Sequence, residues 1–298
     1  MAASTYTNLD TEIIANKALE AFVAELAPIA AFSTNFSAAP ATRGANILVP
    51  LIASLTATTF NQNYALTTGN ATKTVVTVAL THHKHVPIGQ WDIEAANSSA
   101  ASLESFGYQQ GRALAVAVLQ DVFTLVTTAN FENNVTKFAS TAMDVAQLRA
   151  ARYQLNAGNA PMSPRCCLLD CVPMDSLFAV TNFVQAHMFA DRGVLQEGRI
   201  ARALGMDMFE LNGLFSTCVI GFAAHASAIA VAMRYLAPQE GHNYREARPV
   251  TDPASGLTFG LRDHYDNNTG TRYVNLECNY GYAAGITAGG YVFVKTEA

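Results

Sequence analysis

An α+β fold is the class this sequence predicts, and three observations predict it. Apolar residues recur at helical spacing in two separate stretches, 10–27 and 97–129. Strand patterning, rich in β-branched residues, fills 46–88 and returns at 255–285. Between them lies a mixed region of short helices and strands, with no internal repeat and no low-complexity linker to divide it.

Element by element, residues 10–27 place Ile13, Ile14, Ala18, Phe22 and Leu26 on one stripe, and Pro28 ends or kinks the helix. The segment after it, AFSTNFSAAPATRG, is small, polar and unperiodic, which predicts an extended arm. A helix on such a tether is expected to pack on something other than its own core. NILVPLIASLTATTF and TVVTVAL then read as two strands of a long excursion whose tip carries the Gly69-Asn70 turn signal. An isolated two-stranded ribbon is marginal in water, so a neighbour is expected to cover it. The spacing over 97–129 predicts a long helix with Leu103, Phe106, Leu114, Val118, Val122 and Leu125 on one face and Asn97, Ser98 or Ser99 as its cap. If Gly107 and Gly111 do not break it, it approaches about 45 Å at about 1.5 Å per residue.

Further along, Asp144–Asn156 reads as a helix, 156–165 as a loop and RCCLLDC as a short buried strand. PMDSLFAVTNFVQAHMF reads as a helix with Pro173 in its first turn. Short strands punctuated by Gly198, Gly205 and Gly213 follow. CVIGFAAHASAIAVAMRYLA predicts a strand running into an apolar helix ended by Pro238, and 239–255 a charged loop. GLTFGLRDHYD and RYVNLECNYGYAAGI are strands joined by Asn267-Asn268-Thr269-Gly270, a hairpin turn.

Composition narrows the function. Charged residues are 14 % of the chain, against about 25 % for an average soluble protein. Large permanent interfaces deplete those residues, which favours an obligate assembly; an Ala-rich globular protein fits too. A net charge of -5 gives no basic nucleic-acid footprint. Five cysteines make no CxxC pair, and Cys166, Cys167 and Cys171 crowd one apolar run, as buried free thiols of a reducing cytoplasm do. The N-terminus lacks the pattern of a signal peptide, and no apolar run reaches membrane-span length.

The chemistry candidates each have a structural alternative. In THHKH, His83 and His85 share one strand face while His82 shares the other with Lys84. Two imidazoles could begin a zinc site, but a closed site wants four ligands, so a solvated or interface strand is the better reading. The Cys166–Cys171 run offers a thiol beside only Arg165, an apolar setting that suits structural cysteines. Gly193–Gly198 and Gly285–Gly290 match neither GxGxxG nor GxxxxGK[ST] and read as turns. No nucleophile elbow or paired-carboxylate context appears. No catalytic, cofactor-binding or metal-binding residues are expected, and the chain is read as not an enzyme.

Three segments carry a family resemblance. EGRIARALGMDMFELNGL (Glu197–Leu214), AAHASAIAVAMRYL (Ala223–Leu236, read as a helix) and SGLTFGLRDHYDNNTGTRYVNLECNYGYAAG (Ser255–Gly285) stand in the order and spacing of tailed-bacteriophage major capsid proteins. Together with the order of elements, the chain resembles the Hong Kong 97-type capsid fold over nearly its whole length. The resemblance implies an N-terminal arm over 1–45 and a β-hairpin E-loop over 46–90. It implies a peripheral domain with the spine helix over 91–140, an axial domain over 141–254, and closing strands of the peripheral domain over 255–298. It further implies self-assembly into hexamers and pentamers of an icosahedral head, made in the host cytoplasm and ending in the virion. Partners implied are other copies of the chain, a portal protein, a separate scaffolding protein, a decoration protein and packaged double-stranded DNA held non-specifically, with no membrane. The stretch before the hairpin, about 45 residues, is too short for a fused scaffold. Some members of the family crosslink a hairpin Lys to an Asn of a neighbour; Lys73, Lys84 and Asn279 make no complete set for that reaction, because the acid partner is not identified. The rivals are an encapsulin-type nanocompartment shell and a cytosolic metal- or thiol-dependent enzyme.

Overall fold

A computed structural model describes residues 6–42, 44–52, 73–91, 100–131, 137–180 and 200–296, apart from 214, 216, 217 and 242. The N-terminal helix α1 spans Tyr6–Glu25, and a single turn, α2, spans Ala27–Ala30 with Pro28 in its first turn. The apolar stripe is real, but its partner is the chain itself. Ile14, Ala18, Phe22 and Leu26 are buried in the largest core of this subunit. Their partner is the long helix α3, Ala100–Phe123. The expectation of a helix packed elsewhere is therefore overturned: the apolar stripe needed a surface, and the long helix supplies one.

Glycine explains how closely the two helices meet. A Cβ on Gly111 would collide with the Ala18 carbonyl oxygen, and one on Gly107 would stand 2.7 Å from that of Ile14. The two glycines, one turn apart, let the backbones touch along helices that run in the same direction. They are contact points and not breaks. Leu114, Val118 and Val122 are buried as predicted, whereas Phe106 is half exposed. At about 1.5 Å per residue the helix is about 36 Å long, shorter than expected; the proposed caps at 97–99 lie outside the described residues.

Two sheets share the core beneath these helices. The six-stranded sheet contains β1 (Ser33–Pro40), β4 (His82–Trp91), β9 (Ile229–Tyr235), β10 (Glu246–Thr251), β11 (Thr258–Asp266) and β12 (Thr271–Ala284). Its order is β1-β9-β12-β11-β10, with β4 also on β12; β1 is parallel to β9 and the other pairs are antiparallel. The predicted arm at 33–40 is thus a strand of the chain's own sheet. The strands β4 and β10, each paired on one side only among the described residues, carry Pro87 and Pro249, which withhold a donor from an outer edge.

The five-stranded sheet has the order β13-β8-β5-β7-β6. Its strands are β5 (Arg165–Leu169), β6 (Arg202–Ala203), β7 (Met206–Glu210), β8 (Val219–His225) and β13 (Gly290–Val294). Cys166 and Leu168 face the main core, while Cys167 and Leu169 face a second one. That second core is built with α4 (Val145–Ala157) and α5 (Cys171–Phe178). A strand buried on both faces needs an unbroken apolar run, which is what RCCLL supplies. Asp144 caps α4 in a capping box with Gln147, and Asp170 caps α5. The predicted continuation of α5 over 181–189 lies outside the described residues.

Three sequence expectations fail here. Residues 229–235 form a strand, not a helix, so the AAHASAIAVAMRYL segment bends from β8 to β9 across the 3₁₀ turn Ala226–Ala228 and joins the two sheets. Both faces of β9 are buried, and a fully apolar run does not reveal its period. The charged loop at 239–255 contains β10. The division at 254 also fails to follow the sheets: β9 and β10 belong with β11 and β12, while β13, near the C-terminus, pairs with β8.

Candidate assembly surface

A third, two-stranded sheet stands apart from these. β2 (Asn46–Ile52) pairs antiparallel with β3 (Lys73–Ala79), and the register from Asn46↔Ala79 to Ile52↔Lys73 is unbroken. Period-two alternation gives the ribbon two faces. Val49, Leu51 and Val78 point inward and are buried, with Val49 and Val78 packing with Leu80 against Ala230 and Ala232 of β9. The approach is tight: a Cβ on Gly281 of β12 would collide with the Ala79 carbonyl oxygen. The outward face carries Leu48, 60 % exposed, and Val75, 43 % exposed, together with exposed Pro50 and Thr77. The root is anchored on its own sheet, the ribbon is not a central strand pair, and apolar side chains face solvent. The tip at 61–72 lies outside the described residues.

Where the ribbon ends, the chain turns at Leu80–Thr81 and enters the sheet at His82, so the THHKH histidines sit at its root. Their two faces have separate partners, as the alternation predicts. On the helix side, the Lys84 ammonium is 3.2 Å from the Asp121 carboxylate of α3, and His82 is 3.9 Å from it. The Tyr280 hydroxyl donates a hydrogen bond to the same carboxylate, and His82 stacks on Tyr282 at 4.7 Å between ring centroids. Burial, and then Asp121, push the Tyr280 phenol far up. On the opposite face His83 Nε2 lies 3.3 Å from Glu277, which also holds Arg262 at 2.7 Å. His85 is exposed. Among the described residues no group of three or more His, Cys, Asp and Glu is arranged to hold a metal ion. Asp121 and Glu277 escaped the sequence reading because their partners lie far along the chain; Tyr-x-Tyr at 280–282 and the THHKH run were the available signals.

The thiols divide differently from the expectation. Burial pushes the Cys166 and Cys278 thiols up to about 12, and Cys167 higher still, so all three stay protonated. Cys171, grouped with them in sequence, is exposed at the start of α5; its thiol is raised by desolvation and by Asp170. It leaves the apolar run because β5 ends at Leu169 and the Asp170 cap turns the chain into solvent. Lys84, a candidate for a crosslink to a neighbour, sits in the sheet opposite Cys278, one register position from Asn279 of its own subunit. No helix among the described residues is long and apolar enough to cross a membrane, which says nothing of a β-barrel.

No family model and no curated protein matches the chain. Solved structures do. The chain is similar to one described as Mycobacterium phage Che8, at 17 % identity over 84 % of each chain and a TM-score of 0.53. It is similar to the capsid structure of the cyanophage P-SCSP1u, at 13 % identity over 90 % of this chain and 87 % of that one, with a TM-score of 0.54. It is also similar to the mature capsid of bacteriophage PhiM1, at 10 % identity over 90 % and 86 % of the two chains, with a TM-score of 0.52. At such identities the likeness is one of fold, and the fold is that of phage capsid subunits.

Proposed function

We propose that this chain is the major capsid protein of a tailed phage, building hexamers and pentamers of an icosahedral head around double-stranded DNA. The observation that carries the reading is the hairpin root, one face packed on its own sheet and the other presenting Leu48, Pro50 and Val75 to solvent. An exposed apolar ribbon is an aggregation hazard on a free monomer and an adhesive surface in a shell. In Hong Kong 97-type terms, β2–β3 is the root of the E-loop and α3 the spine helix. The six-stranded sheet with α1 and α3 is then the peripheral domain, and the five-stranded sheet with α4 and α5 the axial domain. Many weak contacts of one kind make a closed shell strong through multivalency. The acidic balance suits an inner surface that encloses DNA without gripping it. Histidines set beside carboxylates in a sheet, and protonated buried thiols, suit a structural role and not a catalytic one. Location in the virion, and portal, scaffolding and decoration partners, follow from the same reading.

The test is direct. Expressed protein should form closed particles visible by electron microscopy, and the double variant Leu48→Glu with Val75→Glu should give soluble, folded subunits that do not close. Particles of normal size and yield from that variant would sink the reading.

A further inference from the structure

We propose that the ribbon-side face of the six-stranded sheet holds a buried water-binding site, built by Asn279, Tyr235 and Arg262 beside the Glu277 carboxylate. Asn279 is 1 % exposed, and neither its Nδ2 nor its Oδ1 has a hydrogen-bond partner. Its register neighbours are His83 on β4 and Arg234 on β9. The Arg234 guanidinium is committed to the Asn35 carbonyl and side chain and to the Met233 carbonyl. Tyr235 is 6 % exposed, and its hydroxyl has no partner either. The ring of Tyr235 and the Glu277 side chain flank one point, lying 3.0 and 2.9 Å from where a Cβ on Gly260 would stand. Burial raises the Tyr235 phenol, and both Arg262 and Glu277 are close enough to act on it. Arg262 donates to the Leu236 carbonyl and the Tyr244 hydroxyl and pairs with Glu277, yet its buried Nε has no partner.

Each buried polar group left unmade costs about 1–3 kcal/mol, so native proteins satisfy such groups with protein or with ordered water. The chemistry selects the ligand. Glu277 disfavours an anion and Arg262 a cation, while the unpartnered set mixes donors (Nε, Nδ2, hydroxyl) with an acceptor (Oδ1). Water is both donor and acceptor, and buried waters make about three such bonds. Arg262 also lines a cavity of about 510 Å³, with Leu236, Pro238, Gly241 and Tyr244.

The site does not depend on the capsid reading and is tested on particles or on subunit crystals alike. In a map fine enough to show ordered solvent elsewhere on the subunit, peaks should lie roughly 2.7–3.2 Å from the Asn279 carboxamide and from the Tyr235 hydroxyl. Tyr235→Phe should remove the second peak and keep the first. Radiolytic footprinting should label Tyr235, 6 % exposed, several-fold faster than Tyr280, which is fully buried and bonded to Asp121. A map with no peak there, an Asn279 carboxamide bonded directly to protein groups, or equal protection of the two tyrosines overturns the proposal.

Discussion

Two antiparallel hairpins of this chain, β2–β3 and β11–β12, share a ladder geometry and differ in what lies beside them. β11–β12 is flanked by β10, β9 and β4 and carries Arg262, Asp263, Asp266, Arg272 and Glu277. Its charges are consumed within the subunit: Arg272 holds Asp263 at 2.8 Å and Arg262 holds Glu277 at 2.7 Å. β2–β3 has no strand partner beyond itself among the described residues, and its two strands carry a single charge, Lys73. Edge ribbons of monomers are ordinarily guarded by charge. A ribbon without that guard, and with apolar side chains outward, is what the proposed shell contact requires.

The largest expected effect breaks the comparison from inside the ribbon. Val78 is fully buried against the sheet, so Val78→Asp should lower subunit stability by about 4 kcal/mol or more, seen as a shifted denaturant midpoint. Val75→Asp, one face away, should change stability by less than about 0.5 kcal/mol while reducing particle yield. Equal effects at the two positions would erase the distinction between the faces.

Asp263→Ala attacks the other hairpin. It leaves the half-buried Arg272 without the carboxylate that meets its Nε and Nη2, and should cost about 3 kcal/mol. Asp263→Asn should cost less, because a carbonyl oxygen still accepts. Where the hairpins touch, Gly281→Ala would force a methyl against the Ala79 carbonyl. We expect a loss of about 2 kcal/mol, with hydrogen exchange rising first in β3.

The smallest effect is one of pH. Hydrogen bonds from the Asn268 amide and the Thr269 hydroxyl hold Asp266 below the usual carboxylate range. A depressed folded pKa means the contribution is present above about 3.9, the unfolded value, and is lost as pH falls through the folded one. Comparing wild type with Asp266→Asn between pH 5 and 3 should show the gap narrowing in acid. Since Asp266 is only partly buried at the turn, the change should be small and confined to amide exchange in the 266–271 turn.

Local chemistry made several elements legible. The stripe Ile14–Leu26, the helix beginning at Asp144, the two ribbon strands and the Asn267–Gly270 turn depend on neighbours a few residues away, and sequence order displays those. The alternation that sends His82 and Lys84 to one side and His83 to the other was likewise readable, although the carboxylates that receive them were not. What only the tertiary structure decided was every choice that depends on distant burial. Residues 229–235 became a strand because β1 and β12 pair along its edges while two apolar clusters cover its two faces, a situation in which apolar residues carry no period. Residues 33–40, too polar and small to announce a strand, were made one by parallel pairing with β9. The N-terminal helix was drawn into its own core by two glycines on another helix, 93 residues on from Ile14 and Ala18. Sequence alone determined that a ribbon with two apolar faces exists here; only the folded sheet decided which face it keeps and which it leaves exposed, because burial is a property of what stands opposite.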